Sequence, residues 1–172
     1  MDDHKMSLSF PRLIVFGFIA GFLATLTFHQ LTLEVLWQSG YAPFAPYVMT
    51  PTPPFGIPAV FSLSLWGGVW GILFALTQIT FPRKNGYWLR SFLFGAILPS
   101  IFALLVVLPL KGKPLAGGWH TPLLITAFLI NGAWGIGTGL MLRLLSNIPP
   151  QRHKPRSSGG HGHVDAGKPL AP

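Results

Sequence analysis

The chain contains no cysteine, and only four of its 172 residues are Asp or Glu. The missing thiols exclude disulfides, thiolate nucleophiles, Cys-ligated zinc and iron–sulfur clusters. Charge of either sign is scarce: Lys, Arg, Asp and Glu together make up 9% of the residues, against about 25% in an ordinary soluble domain. From Val35 to Pro82, 48 consecutive residues include no Asp, Glu, Lys, Arg or His. A soluble domain cannot hide so long a stretch from water, so a soluble enzyme, a nucleic-acid module and a disordered chain are all excluded. The sequence also lacks a Ser/His/Asp set, a paired carboxylate site, a phosphate-cradling glycine loop and an HExxH helix. We therefore read it as a protein without enzymatic activity.

What the chain does have is four apolar runs, at about 13–33, 57–80, 89–110 and 121–145. Each is long enough for the roughly 20 helical residues that cross about 30 Å of hydrocarbon. The runs are continuous rather than alternating, which argues against barrel strands. The expected fold is an all-α integral membrane four-helix bundle over residues 1–148. A basic, Pro/Gly/His-containing tail at 149–172 has no apolar run and is expected to be disordered. Its His153, His161 and His163 are too loosely held to organise a metal site.

Basic residues set the expected orientation. An even number of spans puts both termini on one side, which then carries Lys5, Arg12, Arg83, Lys84, Arg90, Arg143, Arg152, Lys154, Arg156 and Lys168. The other side has only Lys111 and Lys113. The positive-inside rule makes the first side cytoplasmic, and in a bacterium the membrane is the inner one. Anionic lipid headgroups are expected partners of that basic face, and nucleic acid is not. The first outer loop, about 38–56, is uncharged and crowded with Pro43, Pro46, Pro51, Pro53 and Pro54 among Tyr41, Phe44, Tyr47 and Phe55. It is expected to be semi-rigid and partly extended, serving as an interfacial belt, a lid or a docking surface.

Two halves of the chain resemble each other. Arg12-Leu-Ile-Val-Phe16-Gly17 is matched by Arg90-Ser-Phe-Leu-Phe94-Gly95 at an offset of 78. Gly68-Val-Trp70-Gly71-Ile72 is matched by Gly132-Ala-Trp134-Gly135-Ile136 at an offset of 64, which also aligns Pro58 with Pro122 and Ser62 with Thr126. The pattern predicts two parallel helical-hairpin repeats. Small residues recur every fourth position at Gly17 and Gly21, at Gly67, Gly71 and Ala75, at Ser64 and Gly68, and at Asn131, Gly135 and Gly139. In lipid, close approach through such residues drives helix association. Trp70 and Trp134 fall near mid-membrane, away from the interface that tryptophan favours. They are expected to fill glycine notches on facing helices, with Trp134 Nε1 or Trp70 Nε1 bonded to Asn131, Thr138 or a carbonyl.

Few polar groups are left to carry function. Thr27, Gln30, Glu34 and Gln38 predict a polar stripe along the outer part of the first span. Glu34 is the only acidic residue away from the tails, and its position near the outer edge allows either a solvated or a coupling role. His29 and His120 are the minimal pair for a six-coordinate haem, but their depths do not match, so a structural histidine bonded to a backbone carbonyl is expected and no cofactor is predicted. Asn131 is the one strongly polar residue near the middle of the fourth span, suited to interhelical bonding or to lining a pore. The function expected from these features is a non-catalytic accessory, assembly or stabilising subunit of a larger membrane complex, or of a homo-oligomer. The competing reading is an oligomeric channel or carrier for protons or a small solute, using Glu34, Gln30, His29 and Asn131.

Overall fold

The structure is a computed structural model that describes residues 9–78 and 86–146. The expectations for the tail at 149–172, for Lys5 and for Arg83 and Lys84 lie outside the described residues. Among the described residues, four helices are long and apolar enough to cross a membrane: α1 (Phe10–Gln38), α2 (Ala59–Thr77), α3 (Gly86–Leu110) and α4 (Thr121–Ser146). The chain is a multi-pass, all-α membrane bundle. α1 extends beyond the expected 13–33 because Pro11 fits the first helical turn, where no N–H bond is required, and because Gln38 and Glu34 continue the helix past the apolar run.

Glycine decides which helices touch. α1 packs on α2, α3 on α4, and α1 also on α4. A Cβ on Gly17 would lie 2.8 Å from Gly71 O, and one on Gly71 would lie 2.8 Å from Gly21 Cα. A Cβ on Gly21 would collide with Gly67 O. The second hairpin closes in the same manner: a Cβ on Gly95 would strike Asn131 O and lie 2.9 Å from Gly135 Cα, while one on Gly135 would strike Ser91 O. Bare backbones therefore meet backbones, the contact mode that binds helices in a solvent as apolar as their side chains. The outer helices α2 and α3 meet instead through rings, Trp70 against Phe102 at 5.7 Å and Phe74 against Phe94 at 5.2 Å, both edge-on.

Two apolar clusters show that α1 and α4 run antiparallel. At one end Ala20, Phe74, Ala75 and Leu142 are buried, with Leu13 and Leu145 against them. Toward the other end Leu33 and Ala42 pack on Ile130. The first helical turn of α1 and the last of α4 thus share an end, here named the terminal end, opposite the loop end.

The long loop after α1 is partly ordered, as its prolines predict, but it also forms a small hairpin that the sequence reading did not include. Strands β1 (Pro51–Thr52) and β2 (Ile57–Pro58) pair antiparallel. The pairing is short because proline brings no N–H to a ladder. The loop also caps α2: Ala59 N–H donates to Thr50 O and Val60 N–H to Val48 O, both at 2.9 Å, satisfying donors that a helix start leaves open. Between α3 and α4 the backbone turns left-handed from Ala116 through Trp119, with Leu123 methyls lying where a Cβ on Gly117 would fall.

Candidate functional site

The densest polar arrangement lies where α1 departs from regular helix. Thr25 and Thr27 turn their hydroxyls back onto the carbonyls four residues earlier, Thr25 Oγ1 to Gly21 O at 2.9 Å and Thr27 Oγ1 to Leu23 O at 2.8 Å. Such back-bonding bends helices, and here Thr25–His29 forms a π-turn. The Gln30 N–H reaches Thr25 O and Thr27 O. Leu26 O, the acceptor of a regular α-turn from Gln30, receives the Tyr47 hydroxyl instead, at 3.2 Å. π-turns concentrate at functional positions; α3 carries another at Ala103–Val107, made of apolar residues alone, so the polar groups make Thr25–His29 the leading candidate.

Gln30 completes the arrangement. It is only 2% exposed, and its Oε1 accepts the Tyr47 backbone N–H at 2.7 Å, while its Nε2 stands 3.4 Å from His29 Nδ1. Tyr47 adopts a left-handed backbone, with φ of 49°, a conformation that costs a bulky residue energy unless its contacts hold it. Two bonds to α1 hold it. The loop is thereby fastened to the helix by one tyrosine.

This corrects two expectations. Thr27, Gln30, Glu34 and Gln38 do not form one stripe: Gln30 turns inward beside buried His29 and Leu33, whereas Glu34 and Gln38 bond to each other at the surface, Gln38 Nε2 donating to Glu34 Oε1. The reason is that Gln30 gains a buried acceptor role toward the loop, a long-range contact that spacing along one helix does not encode. His29 is structural in placement, but its ring Nδ1 has the Gln30 side-chain amide nitrogen as its partner, at 3.4 Å, rather than a backbone carbonyl. His120 is exposed just ahead of α4, where its carbonyl accepts the Leu124 N–H at 3.1 Å.

At mid-bundle the glycines and tryptophans separate into different roles. Trp134 is buried, and its Nε1–H donates to Gly21 O at 2.9 Å, the carbonyl that Thr25 also uses. Trp70 is half-buried and rests edge-on to Phe102. The rings that occupy glycine notches are phenylalanines: Phe18 on Gly68, Phe92 on Gly132 and Phe28 on Gly137. A phenyl ring needs no hydrogen-bond partner in that notch, whereas an indole does. Asn131 Nδ2 donates to Ser100 Oγ at 3.1 Å, and Ser100 Oγ donates to Ala127 O at 3.0 Å, so a relay of two bonds joins α3 to α4. The Thr126 hydroxyl, fully buried, has no hydrogen-bond partner.

The sequence reading missed a cluster at the terminal end. Tyr87 is buried; its hydroxyl donates to Gly139 O at 3.0 Å and accepts from the Gln78 amide. The Arg143 guanidinium lies 3.6 Å above the Tyr87 ring and 5.0 Å from that of Trp88. Gly139 admits this packing, since a Cβ there would sit 3.0 Å from both Tyr87 Oη and Ser91 Oγ. The available signal was the Tyr87-Trp88 pair at the start of one span and an arginine in the last turn of another.

The arrangement binds helix to helix and loop to helix. Among the described residues Glu34 is the one carboxylate, so paired-carboxylate chemistry has no second member there. Comparison with protein-family models, with curated proteins and with solved structures yields no match to this chain.

Proposed function

We propose that the chain is an accessory, assembly or stabilising subunit of a larger membrane complex, with no catalytic role and no cofactor. The observation that carries this reading is where the interior polar groups go. Asn131, Ser100, Thr25, Thr138, Gln30 and the Trp134 indole are each committed to bonds within or between helices or to the loop. A carrier needs several convergent polar groups near the midplane that are free to exchange partners. The loop end supplies the docking face: Phe55 is 82% exposed, Trp119 66% and Met49 59%, on loops whose longer member has no charge. Such a concentration of exposed large apolar groups marks a contact with protein or lipid.

The proposed location is a bacterial inner membrane with both termini cytoplasmic, supported by Arg12, Arg90 and Arg143 at the terminal end against Lys111 and Lys113 at the loop end. The proposed architecture is two parallel hairpin repeats. The contacts support a pairing one helical turn away from the sequence match: Gly95 meets Asn131 and Gly135 as Gly21 meets Gly67 and Gly71, and Phe92 covers Gly132 as Phe18 covers Gly68. That is an offset of 74 for the first helices, not 78, with 64 kept for the second.

The second reading, a channel or carrier, draws on the π-turn at His29 and the unpaired Thr126 hydroxyl. Purification in mild detergent followed by mass spectrometry tests the first reading, with co-purifying membrane subunits expected; recovery of the chain alone defeats it. Proton or solute flux in proteoliposomes that disappears in Glu34→Gln or Asn131→Leu would establish the second.

A further inference from the structure

The guanidinium of Arg143 is half-buried at the terminal end, on the last turn of α4, where the helix carbonyls favour a cation. Its face is occupied by the Tyr87 ring. A guanidinium carries five N–H donors, more than one phenol hydroxyl can satisfy, so donors remain for a further acceptor. The Tyr87 hydroxyl also hydrogen-bonds Arg143, but it donates its proton to Gly139 O, and a neutral phenol brings no charge to balance the guanidinium. Glu34, the one carboxylate among the described residues, lies toward the opposite end of the bundle, one position beyond Leu33 in the cluster with Ile130. A partly desolvated cation at the edge of hydrocarbon is stabilised by an anion, and the anionic group that a bilayer itself supplies at that depth is the phosphate of a lipid headgroup.

We propose that Arg143, braced by Tyr87 and Trp88 between the ends of α3 and α4, binds the phosphate of an anionic phospholipid. The planar fork suits phosphate oxygens bidentately, basic pockets between membrane helices take acidic headgroups, and the adjacent, partly exposed Trp88 indole suits the headgroup layer. The inference rests on the terminal end facing an anionic headgroup layer and requires no protein partner.

The test uses the full chain, delipidated in detergent and titrated with phosphatidylglycerol, with bound lipid counted by native mass spectrometry. Arg143→Gln is expected to weaken phosphatidylglycerol binding about fivefold, the equivalent of about 1 kcal/mol per cation near an anionic surface. Arg143→Lys, which keeps charge but loses the planar fork, is expected to fall between the two. Arg12→Gln, which removes an exposed cation at the same end, is expected to leave binding within twofold, and phosphatidylcholine binding is expected to be unaffected by Arg143→Gln. Equal binding by wild type and Arg143→Gln, or an equal loss in Arg12→Gln, overturns the site. Displacement of phosphatidylglycerol by millimolar inorganic phosphate reassigns it to a free phosphate and overturns the lipid assignment. Should Arg143→Gln not fold, Arg143→Lys and Trp88→Leu decide, each expected to lower affinity at least twofold; wild-type binding in both overturns the proposal. Because no partner is present, failure here is distinct from failure of the accessory-subunit reading.

Discussion

The Trp134 indole donates its N–H to the Gly21 carbonyl at 2.9 Å, joining the fourth helix to the first at the residue where the first helix also meets the second. Gly21 has no side chain, which lets α2 approach on one side, and its carbonyl serves Thr25 Oγ1 and Trp134 on another. Three helices are thus tied to one residue. Trp134→Phe keeps most of the ring volume and removes the donor. Hydrogen bonds between membrane helices contribute about 0.6 to 2 kcal/mol, so a loss of about 1 kcal/mol is expected in equilibrium unfolding in micelles. Trp134→Ala, which also leaves a cavity, is expected to cost about 3 to 5 kcal/mol.

The glycine contacts predict a sharp contrast between faces. Gly71→Leu places a side chain against the Gly17 carbonyl and Gly21 Cα, and backbone overlap of this kind exceeds the roughly 1 to 3 kcal/mol of ordinary overpacking. The first hairpin is expected to separate, seen as loss of folded protein in detergent size-exclusion. Leu73→Val, on the exposed face of the same helix, is expected to change stability by no more than about 0.5 kcal/mol.

Fastening of the outer loop is expected to depend on Gln30. Gln30→Leu leaves the part-buried Tyr47 N–H without its acceptor and takes away the bond that ties the loop backbone to α1, at a cost of about 1 to 2 kcal/mol. Tyr47→Phe removes only the bond to Leu26 O, about 1 kcal/mol. Hydrogen exchange over residues 44–50 is expected to accelerate strongly in the first variant and mildly in the second. Equal rates in both would show that the left-handed turn holds itself.

The absence of cysteine makes orientation directly measurable, since any introduced thiol is unique. Thr50→Cys and Lys113→Cys are expected to react with a membrane-impermeant maleimide on intact spheroplasts, and Ser9→Cys only after permeabilisation. The reverse pattern would place the termini outside.

Much of the fold was legible before any coordinates. Span number and position follow from continuous apolar length, and small residues at every fourth position lie where bare backbones meet between α1 and α2 and between α3 and α4, because such spacing makes a groove along one helix face. The site was less legible. Trp70 and Trp134 occupy matched sequence positions, yet one is half-buried against Phe102 and the other hydrogen-bonds Gly21, because α1 packs closely on α4 whereas α2 and α3 meet through rings. The π-turn at Thr25–His29 had a local hint in two threonines spaced by two. Its completion by Tyr47 depends on a residue 21 positions beyond Leu26. The Arg143 cluster joins an arginine to aromatics more than 50 positions earlier, and no periodicity connects them.

The amino-acid sequence by itself determined that this protein lives in a membrane and crosses it with four helices, because hydrocarbon thickness is matched by local properties, length and hydropathy, that each segment carries alone. Only the tertiary structure decided that α1 is the shared neighbour of α2 and α4, that Gln30 turns inward to hold the loop, and that Arg143 is braced by Tyr87. Those outcomes depend on which bare backbone meets which carbonyl across the bundle. That is a property of two faces together, which neither segment specifies without the other.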